Sequence, residues 1–197
     1  MELPVGEFIS QGLDKEVPVA ARTLLESNVK DEIKHDLALG FIVESHGSDP
    51  IAEMEAIRLR DAWIQHPDHT ILKALVAERA IFFVLLPMFR FLGDAALRTV
   101  SADISRDEQI HVATNSLVCR ELGLVPSNSL DKLRKATISW VLQPLKTSPD
   151  KHLDKSFWLD ASDRLMYEGK APQFADTKAA RMPAFFEHAN TNLPQYA

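Results

Sequence analysis

Two glutamate–histidine pairs are the residues of this chain best suited to chemistry. In the run Ile104-Ser105-Arg106-Asp107-Glu108-Gln109-Ile110-His111, Glu108 and His111 are three residues apart. On a helix their side chains leave the same face, one turn apart. Val100, Ile104 and Asn115 share that face, which is therefore expected to point inward. A carboxylate and an imidazole turned together into an apolar interior need something that neutralises and bonds both, and a metal ion does so. Asp31-Glu32-Ile33-Lys34-His35 repeats the D-E-x-x-H order. One such segment is weak evidence of a site; two, each with Asp before Glu, make a shared metal centre the expectation. Glu78 supplies a third carboxylate, in the middle of TILKALVAERAIFFVLLPMFRF. An ionised group there is costly unless paired, and Arg79 leaves the helix about 100° away. Metal ligation is the functional reading of Glu78. A carboxylate at the edge of the bundle, meeting a partner on the solvent side, is the plain one.

The elements that must hold these residues are helices. Residues 94–122 form one long run, with Gly123 placed to end it and Pro126 beyond. Residues 19–43 contain no Pro and only Gly40. Leu25, Val29, Ile33, Leu37 and Phe41 recur there at helical spacing, and Asn28, Glu32, His35 and Leu39 make a separate stripe. Residues 70–91 are apolar almost all round, as in a central helix, and Pro87 predicts a kink nine residues past Glu78. Residues 51–65 read as an amphipathic connecting helix behind an Asp49 cap. Residues 129–142 read as a further helix with a Ser cap, and 159–167 as another. Residues 144–156 and the proline-punctuated tail are irregular. A short helix over 5–13 precedes Pro18, which suits the first turn of the next one. The reading is thus all-α: a bundle over residues 1–143, then a C-terminal helix and an extended tail over 144–197.

Composition sets bounds. Apolar residues at 46% and charged residues at 25% are globular values, so wholesale disorder is not expected. A net charge of −6 with no basic tract argues against a nucleic-acid partner. The uncharged run 80–89 is far short of a membrane span, and MELPVGEF has neither the basic nor the apolar part of a signal peptide. The cytoplasm is the expected location. The single cysteine, Cys119, reads as a small buried hydrophobe. His46, His66, His69, His152 and His188 fall at helix ends, in loops or beside prolines, where capping or solvated roles are expected. For Trp63, Trp140 and Trp158 a core or interface role is the expectation.

Two Glu-x-x-His helices, with carboxylates from two further helices, make a ligand set similar to that of the ferritin-like dimetal proteins. Within that group, Ala77-Glu78-Arg79-Ala80-Ile81-Phe82-Phe83 followed by Asp103-Ile104-Ser105-Arg106-Asp107-Glu108-Gln109-Ile110-His111 resembles the small, radical-generating subunit of class I ribonucleotide reductases. Val17-Pro18 ahead of Glu32, and Met182-Pro183-Ala184-Phe185-Phe186 near the end, are also similar. The specific motifs cover residues 17–120. The resemblance implies a ferritin-like four-helix bundle with extra C-terminal helices. It makes Glu32, His35, Glu78, Glu108 and His111 ligands to two iron ions or a manganese/iron pair, and Asp107 the carboxylate beside a ligand histidine. It further implies reaction with O2, a homodimer, and a separate large reductase subunit. Two departures stand against the pattern. The family's radical tyrosine position is Leu39 here, and the chain is short, with tyrosine only at Tyr167 and Tyr196. A small-substrate oxygenase or oxidase, a ferritin-like iron oxidation or storage protein, and an inert helical bundle remain as alternatives.

A sixth ligand should come from the first helix. Glu7 is the expected ligand, because chain length and an intact helix bring it to the level of Glu32; Glu2, which the thirty-residue offset between Glu78 and Glu108 would favour, is the alternative. Asp107 is expected to hydrogen-bond His35 on the partner helix rather than His111 on its own.

Overall fold

The computed structural model describes residues 3–13 and 17–174. Glu2, His188, Tyr196, the Met182–Phe186 segment and the rest of the tail lie outside the described residues. The described chain is all-α, with no strand and one isolated bridge between Lys146 and Asp154. Its helices are α1 (Val5–Leu13), α2 (Val19–His46), α3 (Pro50–Gln65), α4 (Thr70–Ala77), α5 (Phe83–Leu92), α6 (Ala95–Glu121), α7 (Asn128–Val141) and α8 (Lys155–Glu168). A π-helical turn, Glu78–Phe82, joins α4 to α5.

Local chemistry explains most of the boundaries. Asp49 accepts from the Ile51 amide at 2.9 Å and starts α3. Asp94 does the same for α6 through Leu97, at 2.9 Å. Ser127 caps α7 through Leu130, so that helix begins earlier than Ser129. Gly123 ends α6 with φ +65°, the left-handed conformation glycine adopts freely, and the Leu124 amide returns to the Cys119 carbonyl. His69 accepts from the Ile71 amide, a capping role as expected for it.

Helix α6 packs against both α2 and α4, α1 packs against the same two, and α5 runs on against α6. The core is filled by Phe8, Ile9, Leu25, Trp63, Ile71, Ile81 and Trp158 among others. At Gly12 an added Cβ would lie 2.3 Å from the Ile71 methyl, so α1 meets α4 with no room for a side chain. Gly12→Ala should cost roughly 1–3 kcal/mol by overpacking; thermal unfolding reads it, and an unchanged midpoint would mean that α1 moves aside freely.

Two elements differ from the amphipathic pattern. In α2 the stripe at Ile33, Leu37 and Phe41 is outward, each more than 60% exposed, while Asn28, Glu32 and His35 are buried. The polar stripe is the inner one. In the central helix the ladder is interrupted at Glu78 itself, nine residues before Pro87, which sits within α5. The turn frees the Ala80 carbonyl, and Ser162 of α8 donates to it at 2.6 Å. Widened turns of this kind are rare and are frequently found at functional sites.

Candidate metal centre

α2, the π turn and α6 bring Glu32, His35, Glu78, Glu108 and His111 together. All five are buried, with Glu78 and Glu108 at 0% exposure. Ligand atoms of Glu32, Glu78, Glu108 and His111 lie within 4.8 Å of one another, an arrangement that could hold a metal ion. His35 joins them from the side: its Nδ1 is 3.4 Å from Glu108 Oε1 and 3.6 Å from Glu32 Oε1. His111 Nδ1 lies 3.1 Å from Glu32 Oε1, 3.6 Å from Glu108 Oε1 and 3.8 Å from Glu78 Oε1. Both imidazoles therefore turn Nδ1 to one centre.

The polar groups there are close without being satisfied. Glu32 Oε1, His35 Nδ1, Glu78 Oε1, both oxygens of Glu108 and His111 Nδ1 are buried and make no aligned hydrogen bond. Buried polar atoms are nearly always paired, so six converging orphans call for something between them. Three carboxylates and two imidazoles are an oxygen-rich donor set with nitrogen, suited to first-row divalent ions. The residues present fit a metal.

The surrounding groups orient this set. Asp107 Oδ2 is 3.1 Å from His35 Nε2, the partner expected for it. Reciprocally, His111 Nε2 faces Asp31 Oδ2 at 3.7 Å. Each histidine thus meets the aspartate of the other motif, which the antiparallel pairing of α2 with α6 requires. Asn115 donates to Glu78 Oε2 at 2.8 Å. The sequence assigned no role to Asp31 or Asn115, although Asp31 stands in the repeated motif and Asn115 on the inward face; their partners were not readable from spacing. Asp107→Asn should weaken metal binding by about ten- to a hundredfold, as loss of such partners usually does. Equilibrium titration checks this, and unchanged affinity would make Asp107 a bystander.

Glu7 takes a different position. It is exposed on α1, on the wall of a groove whose floor is Glu32, and is not in the buried group. The backbone above Glu32 belongs to Gly6, where an added Cβ would come within 3.2 Å of the Glu32 Cβ.

Electrostatics follow the crowding. Burial would lower the pKa of His35, but the carboxylates of Glu108, Glu32 and Asp107 outweigh it and hold the ring at about 10. His111 is likewise lowered by burial and raised, on balance, to about 10 by Glu108, Glu32 and Glu78. Glu78 is driven well above the carboxylate range by burial and by the Glu108 charge. Burial raises Glu32, but His111 and His35 bring it below its ordinary value. Without metal, both imidazoles therefore hold protons at neutral pH, and metal binding must displace them. Loading at pH 7 should release at least two protons, one from each imidazole, measurable by calorimetry in buffers of different ionisation enthalpy. The sign for stability follows from the raised values. The histidine contribution to the metal-free fold is fully present below about pH 6.5 and is lost as pH rises through about 10. Metal-free protein should thus lose thermal stability across that window.

Cys119 is buried, and burial followed by the Glu78 charge pushes its thiol up to about 12, so it is not a thiolate at neutral pH. Beside the centre lies a cavity of about 70 Å³ walled by Leu39, Phe82, Leu86 and Ile104 and bordered by Glu32, His35 and Glu108.

Against this geometry, comparison with known proteins finds no matching protein family, no matching curated protein and no matching solved structure. What stands is the class: an all-α chain with a buried carboxylate–histidine centre able to hold metal. No helix among the described residues is long and apolar enough to cross a membrane.

Proposed function

We propose that this chain is a dimetal oxidoreductase of the ferritin-like kind, working as a small-subunit-like partner in ribonucleotide reduction. Its cofactor would be two iron ions or a manganese/iron pair. The observation that carries the reading is the set of six buried, inward, unpaired ligand atoms on Glu32, His35, Glu78, Glu108 and His111. When bound, the metal pair would supply electrons to O2 and hold the resulting oxidising equivalent. The chain's part is to bind and orient. Glu108 and Glu32 each lie near both imidazoles, and with Glu78 they would supply the carboxylates that hold the metal. Asp107 hydrogen-bonds the outer nitrogen of His35 and orients that ring, while Asp31 stands near the outer nitrogen of His111. Leu39, Phe82 and Ile104 keep water from one side of the centre.

The leucine at position 39 offers no phenol to carry a radical, and Tyr167 is exposed with its hydroxyl on Asp131. We therefore assign the oxidising equivalent to the metals themselves. A cytosolic homodimer working with a separate large subunit completes the reading. The outward apolar stripe of α2 is a suitable surface for a second copy. The cavity favours a second reading, oxidation of a small apolar substrate. Its volume of about 70 Å³ is roughly half that of an engineered cavity that holds benzene.

The test is metal content, then the optical spectrum after O2, then deoxyribonucleotide formation with a large reductase subunit. Two metals per chain and new absorption after O2 support the dimetal reading. Turnover with the large subunit supports the reductase role, and many irons per chain would support storage. A chain without metal overturns all three.

A further inference from the structure

Among the described residues, a small cavity and a larger groove are both lined by residues of the buried centre, and they differ in chemistry. The small one is walled by Leu39, Phe82, Leu86 and Ile104. Its only polar lining residues are Glu32, His35 and Glu108 of the centre itself, so a divalent ion entering this way would shed its water against hydrocarbon before it met a ligand. The other is a groove of about 760 Å³ between α1, α2 and the end of α3. Glu32 forms its floor, Gly6 passes above that floor without a side chain, and Glu7 and Asp36 stand exposed on its walls. Arg60, the cation on the far side, is paired with Asp61 at 3.2 Å. Glu32 is more than nine-tenths buried, and its Oε1 has no hydrogen-bond partner.

We infer that this groove is the route by which divalent cations load the centre, with Glu7 and Asp36 gathering the ion at the mouth and Glu32 passing it inward. The inference rests on the metal reading above and adds to it a path and two residues. Glu7 then acts in delivery rather than ligation, which accounts for a carboxylate at the level of Glu32 that remains in solvent. Carboxylates at a groove mouth raise local cation concentration and speed association in a salt-dependent way. They leave the final occupancy to the ligands below.

The experiment is stopped-flow mixing of metal-free full-length chain with cobalt(II), followed by its absorbance, with bound cobalt counted at the end. The Glu7→Lys/Asp36→Lys double variant should load about tenfold more slowly at low salt. The difference should close near 1 M salt, where the screening length is only about 3 Å, and final cobalt content should equal wild type. The neutral pair Glu7→Gln/Asp36→Asn should show a smaller slowing in the same direction. The reversal Glu53→Lys/Glu121→Lys changes net charge equally away from the groove and should leave the rate within about twofold, since steering is local. Three results overturn the inference: an unchanged loading rate, equal slowing by the control pair, or loss of final cobalt content, which would place Glu7 or Asp36 in the centre itself. Wild-type chain that takes up no cobalt overturns the metal reading and this inference with it.

Discussion

Glu108→Ala should purify with no more than traces of iron or manganese under conditions that load the wild type. Glu108 is fully buried on α6, and neither carboxylate oxygen has a hydrogen-bond partner. Its Oε1 lies 3.4 Å from His35 Nδ1 and 3.6 Å from His111 Nδ1, so it faces both imidazoles from the middle of the group. Removal deletes a ligand and the spacer between the other donors, and should exceed the roughly ten- to hundredfold loss typical of an outer partner. The fold itself should survive. Glu108 faces a Glu78 that burial keeps largely protonated, and it also holds both imidazoles protonated, so its loss should lower the melting temperature without abolishing the fold. Elemental analysis beside a thermal melt distinguishes the cases: lost metal with a retained cooperative transition is expected. Full metal content would remove Glu108 from the centre.

The largest effect on stability is expected from Arg134→Ala. Arg134 is fully buried in α7 and donates to Asp131 at 2.9 Å, to Ser162 at 2.7 Å and to Asp163 at 2.7 Å. Ser162 hands the connection on to the Ala80 carbonyl in the π turn. One guanidinium thus ties α7 to α8 and, through a hydroxyl, to the segment that carries Glu78. Breaking a buried pair costs about 3–5 kcal/mol. Asp163 is half exposed and can rehydrate, so the lower end, about 3 kcal/mol, is expected. For a domain of this size that corresponds to a fall of about 6–12 °C in Tm. Arg134→Met, which keeps much of the volume, should lose less. A fall below about 2 °C for the alanine variant would show that α8 docks through its apolar face alone.

What could be read from the chain and what could not divides along physical lines. Glu32, His35, Glu78, Glu108 and His111 were legible because helical spacing converts position into direction, and a carboxylate in an apolar run is costly without a partner. The Asp107–His35 contact was expected from the family resemblance and from the need of a ligand histidine for an outer carboxylate, not from spacing. The orientation of α2 was not. Its apolar residues recur at core spacing, yet Ile33, Leu37 and Phe41 face outward. The demand of Asn28, Glu32 and His35 for an interior outweighs the apolar stripe. Glu7 was placed at the right level by chain length, but reach says nothing about which way a side chain on a three-turn helix turns. The roles of Arg134 and Ser162 depend on where α7 and α8 dock, and no local pattern contains that.

The π turn has a consequence for how this chain tolerates length change. A widened turn equals one residue inserted into an α-helix. Deleting a single residue among Arg79, Ala80 and Ile81 would let the ladder close regularly, a change that looks benign by helix propensity alone. The segments on either side would keep nearly the same phase, because the widened turn is what absorbs the extra residue, but the residues inside the turn would be re-aimed. Phe82 would lose its place in the cavity wall, and the carbonyl that Ser162 reaches would be taken up by the regular ladder. The segment should therefore accept substitution far more readily than deletion, and its length, rather than its composition, keeps Glu78 aimed at the histidines.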